Sequence, residues 1–237
     1  MHLTDLIAVE VEYSDESRHN TRRAAFVRWL EGPNAANVAL DAVLALAPKH
    51  VLEIGCGDGA FAERLQARLE HPVTAIDISP RMVELARARG LTTSIGDAIA
   101  LPFPDASFDC VIANWMLYHV TDLNSALGEI VRLLRPGGAL VAATLGVENL
   151  LELWQLIGAP PDMSDYTFTR ESGRAILAGH FGDVTRHDVD ACVCFPGSRE
   201  VREYVAASLG RAHLAEHVPE DLGPFRARTS QAVFVAA

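Results

Sequence analysis

The stretch VLEIGCGDG, residues 51–59, decides the fold class of this chain of 237 residues. Its first four residues are apolar except Glu53 and predict a short buried strand. Glycines at positions 55, 57 and 59 predict a tight turn in which the backbone can approach a ligand closely. Residues 58–70 then carry Phe61, Leu65 and Leu69 four apart, as on one face of a helix whose first N–H groups are free for that ligand.

The alternation of strand and helix continues after this turn. Further strands are predicted at 73–76, 91–95, 108–113 and 139–143, and later ones at 184–193 and 231–236. Ser79 is a suitable N-cap, and Pro80 suits the first position of the helix that follows. Pro136-Gly137-Gly138 stops another helix. Seven strands alternating with helices predict an α/β fold with a mostly parallel sheet and helices on both faces.

The two ends of the chain are less regular. Residues 3–47 are predicted to be mainly helical, with a loop at 31–34. Helices are also predicted at 148–157, 171–178 and 198–209, with a loop at 158–167.

The charge, the apolar runs and the cysteines of the sequence argue against several classes of function. The formal net charge is −11 and no basic stripe is present, which disfavours a nucleic-acid partner. The apolar runs are too short to span a bilayer and no secretory signal begins the sequence, so we expect a cytoplasmic protein that does not act at a membrane. The four cysteines form no CxxC pair, lie in strand-like runs and are predicted to be reduced core residues rather than a disulfide frame or a zinc site.

The glycine pattern alone leaves two ligand classes open. Gly55-x-Gly57-x-x-Ala60 satisfies a dinucleotide fingerprint, and Asp77 lies 22 positions after Gly55, where a ribose-binding acid belongs. This spacing predicts a nucleotide-like ligand with a free ribose, and it fits a dehydrogenase as well as other enzymes.

The segments that follow the turn resemble one family in order and spacing. Residues 51–59 are similar to motif I of the class I S-adenosylmethionine-dependent methyltransferases, and the resemblance covers about residues 45–145. It implies a Rossmann-like sheet with an antiparallel last strand, and the residue pattern adds a helical N-terminal lid before it. The other similar segments are Asp77-Ile78-Ser79-Pro80-x-Met82, Gly96-Asp97-Ala98 with Leu101-Pro102-Phe103, Phe108-Asp109-x-Val111, and Leu134-Arg135-Pro136-Gly137-Gly138.

The resemblance implies S-adenosylmethionine as the methyl donor. Asp77 would accept hydrogen bonds from both ribose hydroxyls, and Asp97 one from the adenine amino group. Ile78 would pack on the adenine, Asn114 would contact the methionine end, and Glu53 would orient the glycines. The donor-binding residues are therefore predicted to be Glu53, Gly55, Cys56, Gly57, Asp77, Ile78, Met82, Asp97, Ala98, Asn114 and Trp115.

Several of these residues also have a structural interpretation. Asp77 suits a helix N-terminus and Asp97 suits a turn, with or without a ligand. Trp115, Tyr118 and His119 follow the fourth strand, where family members line the site, and each can equally be a core residue. His119 is the candidate general base.

His213-Leu214-Ala215-Glu216-His217 fits H-x-x-E-H, a zinc-peptidase pattern. Two histidines four apart share a helix face, but no third ligand stands out and nine histidines make a chance pair common. We predict no metal site.

We expect a lid at residues 1–47 and a methyltransferase domain at 48–237, with acceptor-side elements near 145–169 and 195–230. The acceptor is expected to be a small molecule methylated on O, N or C by in-line displacement. The alternative is a donor-binding regulatory or partner protein without transferase activity.

The sequence leaves open whether the protein is a monomer or a homodimer. Aromatic residues of the lid segments either form the acceptor pocket or pack these segments onto the sheet: Tyr13, Phe26, Trp29, Trp154, Tyr166 and Tyr204.

Overall fold

The computed structural model describes residues 16–159, 166–208 and 210–237. Its helices are α1 (Glu16–Trp29), α2 (Ala35–Ala45), α3 (Ala60–Leu69), α4 (Pro80–Ala88), α5 (Leu123–Leu133), α6 (Leu151–Leu156), α7 (Gly173–Leu177) and α8 (Ser198–Ala206). Its strands are β1 (Leu30–Glu31), β2 (Val51–Ile54), β3 (Val73–Asp77), β4 (Thr92–Ile95), β5 (Phe108–Asn114), β6 (Leu134–Leu145), β7 (Val184–Phe195) and β8 (Phe225–Ala236). Two 3-10 helices span Leu117–His119 and Ala212–His217.

All the strands described join one sheet in the order β1-β7-β8-β6-β5-β2-β3-β4. The α/β fold is confirmed, with parallel pairing from β6 to β4 and with β8 antiparallel to both β6 and β7. The seven predicted strands are present, and β1 adds an eighth that the sequence did not indicate. Two residues are too few to display the alternating pattern of a strand.

The start of β6 differs from the prediction. Strand β6 begins at Leu134, directly after α5, whereas the sequence placed its start after the glycines at 137 and 138. Leu134 pairs with Phe108, and a register shift then separates this pair from Cys110 and Ala139. The irregularity accommodates Pro136 and the glycines inside the strand, because a bulge tolerates residues that weaken a regular ladder.

Alternate residues of the strands face two hydrophobic clusters, one on each side of the sheet. Leu52 lies in the cluster covered by α5 and α7, and Val51 in the cluster covered by α2, α3 and α4. The predicted placement of helices on both faces is therefore confirmed. The glycine turn, residues 55–59, lies at the edge formed by the carboxyl ends of the parallel strands, where open α/β sheets bind ligands.

Strands β7 and β8 extend beyond this edge. Their pairing continues to Phe195 and Phe225, whereas β6 leaves β8 at Leu145, opposite Gln231. The end of this ribbon packs with α1, α6, α8 and the second 3-10 helix in a third hydrophobic cluster. We call this assembly the cap. Its buried members are Ala25, Leu150, Leu153, Trp154, Ile157, Val193, Phe195, Val201, Tyr204, Val205, Val218 and Ala227.

Some predictions fall outside the described residues: the helical residues 3–15 with Tyr13, the loop residues 160–165, and Leu209.

Of the helices described, none combines the length and the apolar character needed to cross a membrane. All four cysteines are free. Three of them lie in strands, but Cys56 lies in the glycine turn, which corrects its assignment to a strand.

Candidate functional site

The three glycines of the turn differ in what surrounds them. All three have left-handed backbones, with φ of +66° at Gly55, +54° at Gly57 and +79° at Gly59. A Cβ on Gly55 would lie 2.7 Å from Met116 Cβ, and one on Gly59 would lie 2.8 Å from Ala86 Cβ. A Cβ on Gly57 would meet nothing within 4 Å. Packing therefore explains two of the glycines, and Gly57 alone borders open space that a ligand can enter.

Asp77 links the end of β3 to the glycine turn. Its Oδ2 accepts a hydrogen bond from the Gly57 N–H at 2.8 Å, and its Oδ1 accepts one from the Ser79 N–H at 2.9 Å. Burial raises the pKa of this carboxyl, and these backbone donors oppose the rise. Each carboxylate oxygen has two lone pairs, so each can accept a further hydrogen bond from a ligand. The structural and ligand-binding interpretations of Asp77 are thus compatible.

Two side chains near this turn have buried polar atoms without a partner among the described residues. They are Oε2 of Glu53 and both amide atoms of Asn114. Burial, followed by the charge of Asp77, raises the pKa of Glu53 well above its usual range. An unsatisfied buried polar group is unfavourable by about 1–3 kcal/mol. The site is therefore suited to a polar ligand that supplies hydrogen-bonding groups, as the donor does.

The residues expected around the adenine lie after β3 and β4. Ile78 directly follows β3 and keeps 38% of its surface exposed, which leaves an apolar face for a ring. Asp97 Oδ1 accepts a hydrogen bond from the Ile99 N–H at 3.2 Å, so its turn role is present. Ala98 is buried beside it.

Two of the predicted donor-binding residues have inward-packed side chains. Met82 is fully buried in α4, where its N–H donates to the Ser79 N-cap hydroxyl. Cys56 is buried, its N–H donates to the Ile76 carbonyl at 3.0 Å, and burial raises the pKa of its thiol. Their donor contacts stay predictions.

The residues after β5 turn sharply. Trp115 has a left-handed backbone with φ of +52°, an unusual conformation for a bulky residue, and its indole N–H donates to Gln231 Oε1 at 3.1 Å. His119 ends the first 3-10 helix, and its ring centroid lies 4.5 Å from that of Tyr118. Tyr118 in turn lies 5.2 Å from Tyr166. A run of aromatic side chains therefore leads from the end of β5 toward the cap.

Asp58 is a contact residue that the sequence did not single out. Its carboxylate pairs with Arg23 of α1 at 2.8 Å and with Arg89 at 2.8 Å. These pairs hold the pKa of Asp58 below its usual value in spite of burial. His19, one helical turn before Arg23, has its pKa lowered to about 4, chiefly by burial. Helix α1 thus docks on the glycine turn through residues 35 positions apart, a relationship without a local sequence signal.

The H-x-x-E-H segment lies in the second 3-10 helix. With 3.0 residues per turn, residues four apart point about 120° away from each other. His213 and His217 therefore do not share a face, and the His217 ring nitrogen lies 3.1 Å from the Ile157 carbonyl. Among the residues described, no group of three or more potential ligand side chains is placed to hold a metal.

Comparisons with known proteins agree with this geometry. Residues 52–142 match the family described as methyltransferase domain. The chain is 37% identical over 122 residues to an uncharacterised methyltransferase of Mycobacterium tuberculosis, covering 49% of this chain and 61% of that protein. It is 39% identical over 123 residues to a malonyl-[acyl-carrier protein] O-methyltransferase of Erwinia billingiae, covering 49% and 48% of the two chains. The chain thus spans about half to three-fifths of the length of these curated relatives.

A solved structure extends the fold comparison to the whole chain. Phosphoethanolamine N-methyltransferase 2 of Haemonchus contortus, in complex with phosphomonomethylethanolamine and S-adenosylhomocysteine, superposes with a TM-score of 0.63 at 18% identity. The match covers 100% of this chain and 60% of that one. The Rossmann-like methyltransferase fold is therefore confirmed.

Proposed function

We propose that this chain, which contains a class I S-adenosylmethionine-dependent methyltransferase domain, transfers a methyl group from that donor to an O, N or C atom of a small molecule. One observation carries the proposal: Gly57, Asp77 and Asn114, whose amide has no partner among the described residues, lie at the carboxyl ends of three neighbouring strands. Together they offer an open backbone, a carboxylate with acceptor capacity and a free amide.

In this proposal the chain holds the donor from three sides. Asp77 accepts hydrogen bonds from the ribose hydroxyls, and Asn114 satisfies its amide on the methionine end. Ile78 and Ala98 contact the adenine, with Asp97 as the hydrogen-bond acceptor. Glu53 supports the turn from behind, because the Ala62 N–H bonds to it at the start of α3.

The bound donor supplies an electrophilic methyl group on a sulfonium centre. The remaining task of the protein is to hold the acceptor atom about 3 Å from that methyl group and in line with the breaking bond. In this proposal the cap, whose β7–β8 ribbon extends past this edge of the sheet, limits the access of water. His119 removes the proton from a hydroxyl acceptor, whereas an amine or an activated carbon needs no such base.

The proposal also covers partners and location. A net charge of −11 disfavours binding to the negatively charged phosphate backbone of a nucleic acid. We therefore propose a small-molecule acceptor and no nucleic acid. We place the protein in the cytoplasm, as a monomer or a homodimer.

Donor binding and methyl transfer are tested separately. Calorimetry with S-adenosylhomocysteine should give binding to the wild type and to Asp41→Ala, which removes an exposed acid from α2. Asp77→Ala should bind more weakly by about 1–3 kcal/mol, because it loses a charged hydrogen-bonding group. Equal affinity in the two variants would refute the ribose assignment.

Transfer is measured by incubating the protein with methyl-labelled donor and a metabolite extract. Label in an extract component supports the enzyme, and donor binding without transfer supports the regulatory alternative. If His119→Ala leaves turnover unchanged at every pH, the histidine is not the base.

A further inference from the structure

Arg211 of the cap has no acidic partner among the residues that the structure describes. It precedes the second 3-10 helix, and its guanidinium carbon lies 4.2 Å from the centre of the Trp154 ring. Among the described residues, no carboxylate lies within 4 Å of its nitrogens. Burial lowers the pKa of Arg211, as expected for a cation removed from water.

Other arginines of the cap behave differently. Arg199 pairs with Glu200 at 2.6 Å, Arg226 pairs with Glu31 at 3.0 Å, and Arg228 pairs with Glu152 at 2.5 Å. These three arginines keep 63–81% of their side chains exposed. These exposed arginines have acidic partners, whereas the half-buried Arg211 is stacked on an indole instead. Buried charges are rarely left unpaired, because desolvation without a partner is unfavourable.

The indole that Arg211 covers is held in place by its own contacts. Trp154 is buried, and its indole N–H donates to the Asn149 carbonyl at 3.1 Å, which fixes the ring that Arg211 covers. Tyr204 lies 6.4 Å from Trp154 between ring centres. Burial raises the pKa of Tyr204 to about 12, so this phenol stays neutral and does not serve as the counter-charge.

The position of Arg211 relates it to the reacting end of the site. Tyr166 raises the pKa of Arg211 against the effect of burial, and the ring of Tyr166 lies 5.2 Å from that of Tyr118. Tyr118 belongs to the 3-10 helix that directly follows β5 and contains His119. Arg211 is thus connected through aromatic side chains to the strand end where the acceptor must lie.

We propose that Arg211 binds an oxyanion of the acceptor, so that the substrate of this enzyme is a small molecule bearing a carboxylate or phosphate group. The proposal rests on the proposed methyltransferase function and names its substrate class. A planar guanidinium matches either oxyanion with two parallel hydrogen bonds, and stacking on Trp154 leaves its edge free for them. The bound oxyanion supplies the charge that the protein itself does not place beside Arg211 in the residues described.

Ligand binding tests the proposal without knowledge of the acceptor. Benzoate, phenyl phosphate and neutral benzamide are titrated by NMR into the full-length protein saturated with S-adenosylhomocysteine. At least one of the two anions should bind about tenfold to a hundredfold more tightly than benzamide, as expected for hydrogen bonds to a charged group. The two anionic probes distinguish a carboxylate site from a phosphate site.

Three variants assign any preference to Arg211. Arg211→Gln should remove the preference for the anion, and Arg211→Lys should retain part of it, since it keeps the charge and loses the planar geometry. Arg199→Gln makes the same change of charge at a residue of α8 that is 81% exposed, and it should retain the full preference. Thermal unfolding shows whether each variant is folded.

The outcomes separate the two proposals. Failure of the wild type to bind S-adenosylhomocysteine would overturn the methyltransferase function. Normal donor binding with no preference for either anion, or a preference that survives in Arg211→Gln, would overturn the oxyanion site alone.

Discussion

The Gly57 N–H donates a hydrogen bond to Asp77 Oδ2 at 2.8 Å, which joins the glycine turn to the carboxylate at the end of β3. The same carboxylate also accepts from the Ser79 N–H before α4. One acid therefore fixes the turn after β2 and the start of the helix after β3. A ligand that binds Asp77 meets a site that is already organised.

Gly57 and Gly90 form a matched pair for testing the ligand space. Both have positive φ, +54° and +82°, and a Cβ on either would meet nothing within 4 Å. Alanine should lower the free energy of unfolding by about 1–2 kcal/mol at each site through backbone strain. Only Gly57→Ala should also weaken the calorimetric affinity for S-adenosylhomocysteine. We expect a decrease of about tenfold or more, because the added Cβ removes a close contact between the backbone and the ligand. Equal affinity in both variants would place the donor elsewhere.

Glu53 should make the protein less stable at high pH. Its pKa in the folded state is raised above 4.5, so the native state holds a proton that the unfolded state has released. Stability is therefore lost as the pH rises above 4.5 toward the folded pKa. Glu53→Gln resembles the neutral acid and should show a smaller decrease in the free energy of unfolding between pH 5 and pH 9. Urea denaturation at several pH values measures it, and parallel curves for both proteins would contradict the prediction.

His19 should have the opposite pH dependence. Its pKa is lowered from 6.5 to about 4, so the unfolded state binds a proton before the native state does. Stability is present above pH 6.5 and is lost as the pH falls toward 4, by at most about 3 kcal/mol. His19→Gln should remove this loss. The comparison is made by denaturation at pH 7 and pH 5, and the difference between the two proteins isolates the histidine.

Arg23→Gln should loosen α1 without unfolding the sheet. The substitution breaks the pair with Asp58, whose carboxylate keeps Arg89 as a partner. Loss of one charged hydrogen bond corresponds to about 1.5–3 kcal/mol at a buried site, and to less here because Arg23 is partly exposed. Hydrogen exchange of α1 amides should accelerate while that of β5 amides stays unchanged. Arg28→Gln, at an exposed position of the same helix, is the control, and an equal effect there would show that the Asp58 contact is unimportant.

The sequence predicted the elements whose residues follow a local pattern, either a regular repeat or a helix-capping rule. The strands from β2 to β8 and the N-cap at Ser79 follow from alternation and capping rules. The antiparallel last strand followed from the family resemblance. The sequence predicted that the three glycines form a tight turn near a ligand. It did not predict which of them faces the ligand, because that depends on the positions of Met116 and Ala86 in the fold.

The features that escaped prediction are contacts between distant residues. Strand β1 exists because Leu30 and Glu31 pair with β7, more than 160 positions away. The Arg23–Asp58 pair and the stacking of Arg211 on Trp154 likewise depend on how the cap folds over the sheet. For the aromatic residues of the lid segments, the sequence left two roles open: forming the acceptor pocket or packing these segments onto the sheet. Trp29, Trp154 and Tyr204 pack in the cap cluster or against it. The boundary predicted at residue 47 stays a prediction; α1 packs in the cap and α2 against the sheet.

The extension of β7 and β8 past β6 has an evolutionary consequence. The cap has a hydrophobic core separate from the two cores beside the sheet, and the family match ends at residue 142, before any cap residue that follows β6. Substitutions, insertions or exchanged segments in the cap elements that follow β6 therefore leave the contacts of Gly55 with Met116 and of Gly59 with Ala86 intact. A lineage built on this architecture can acquire new acceptors by changing the cap while it inherits donor chemistry unaltered.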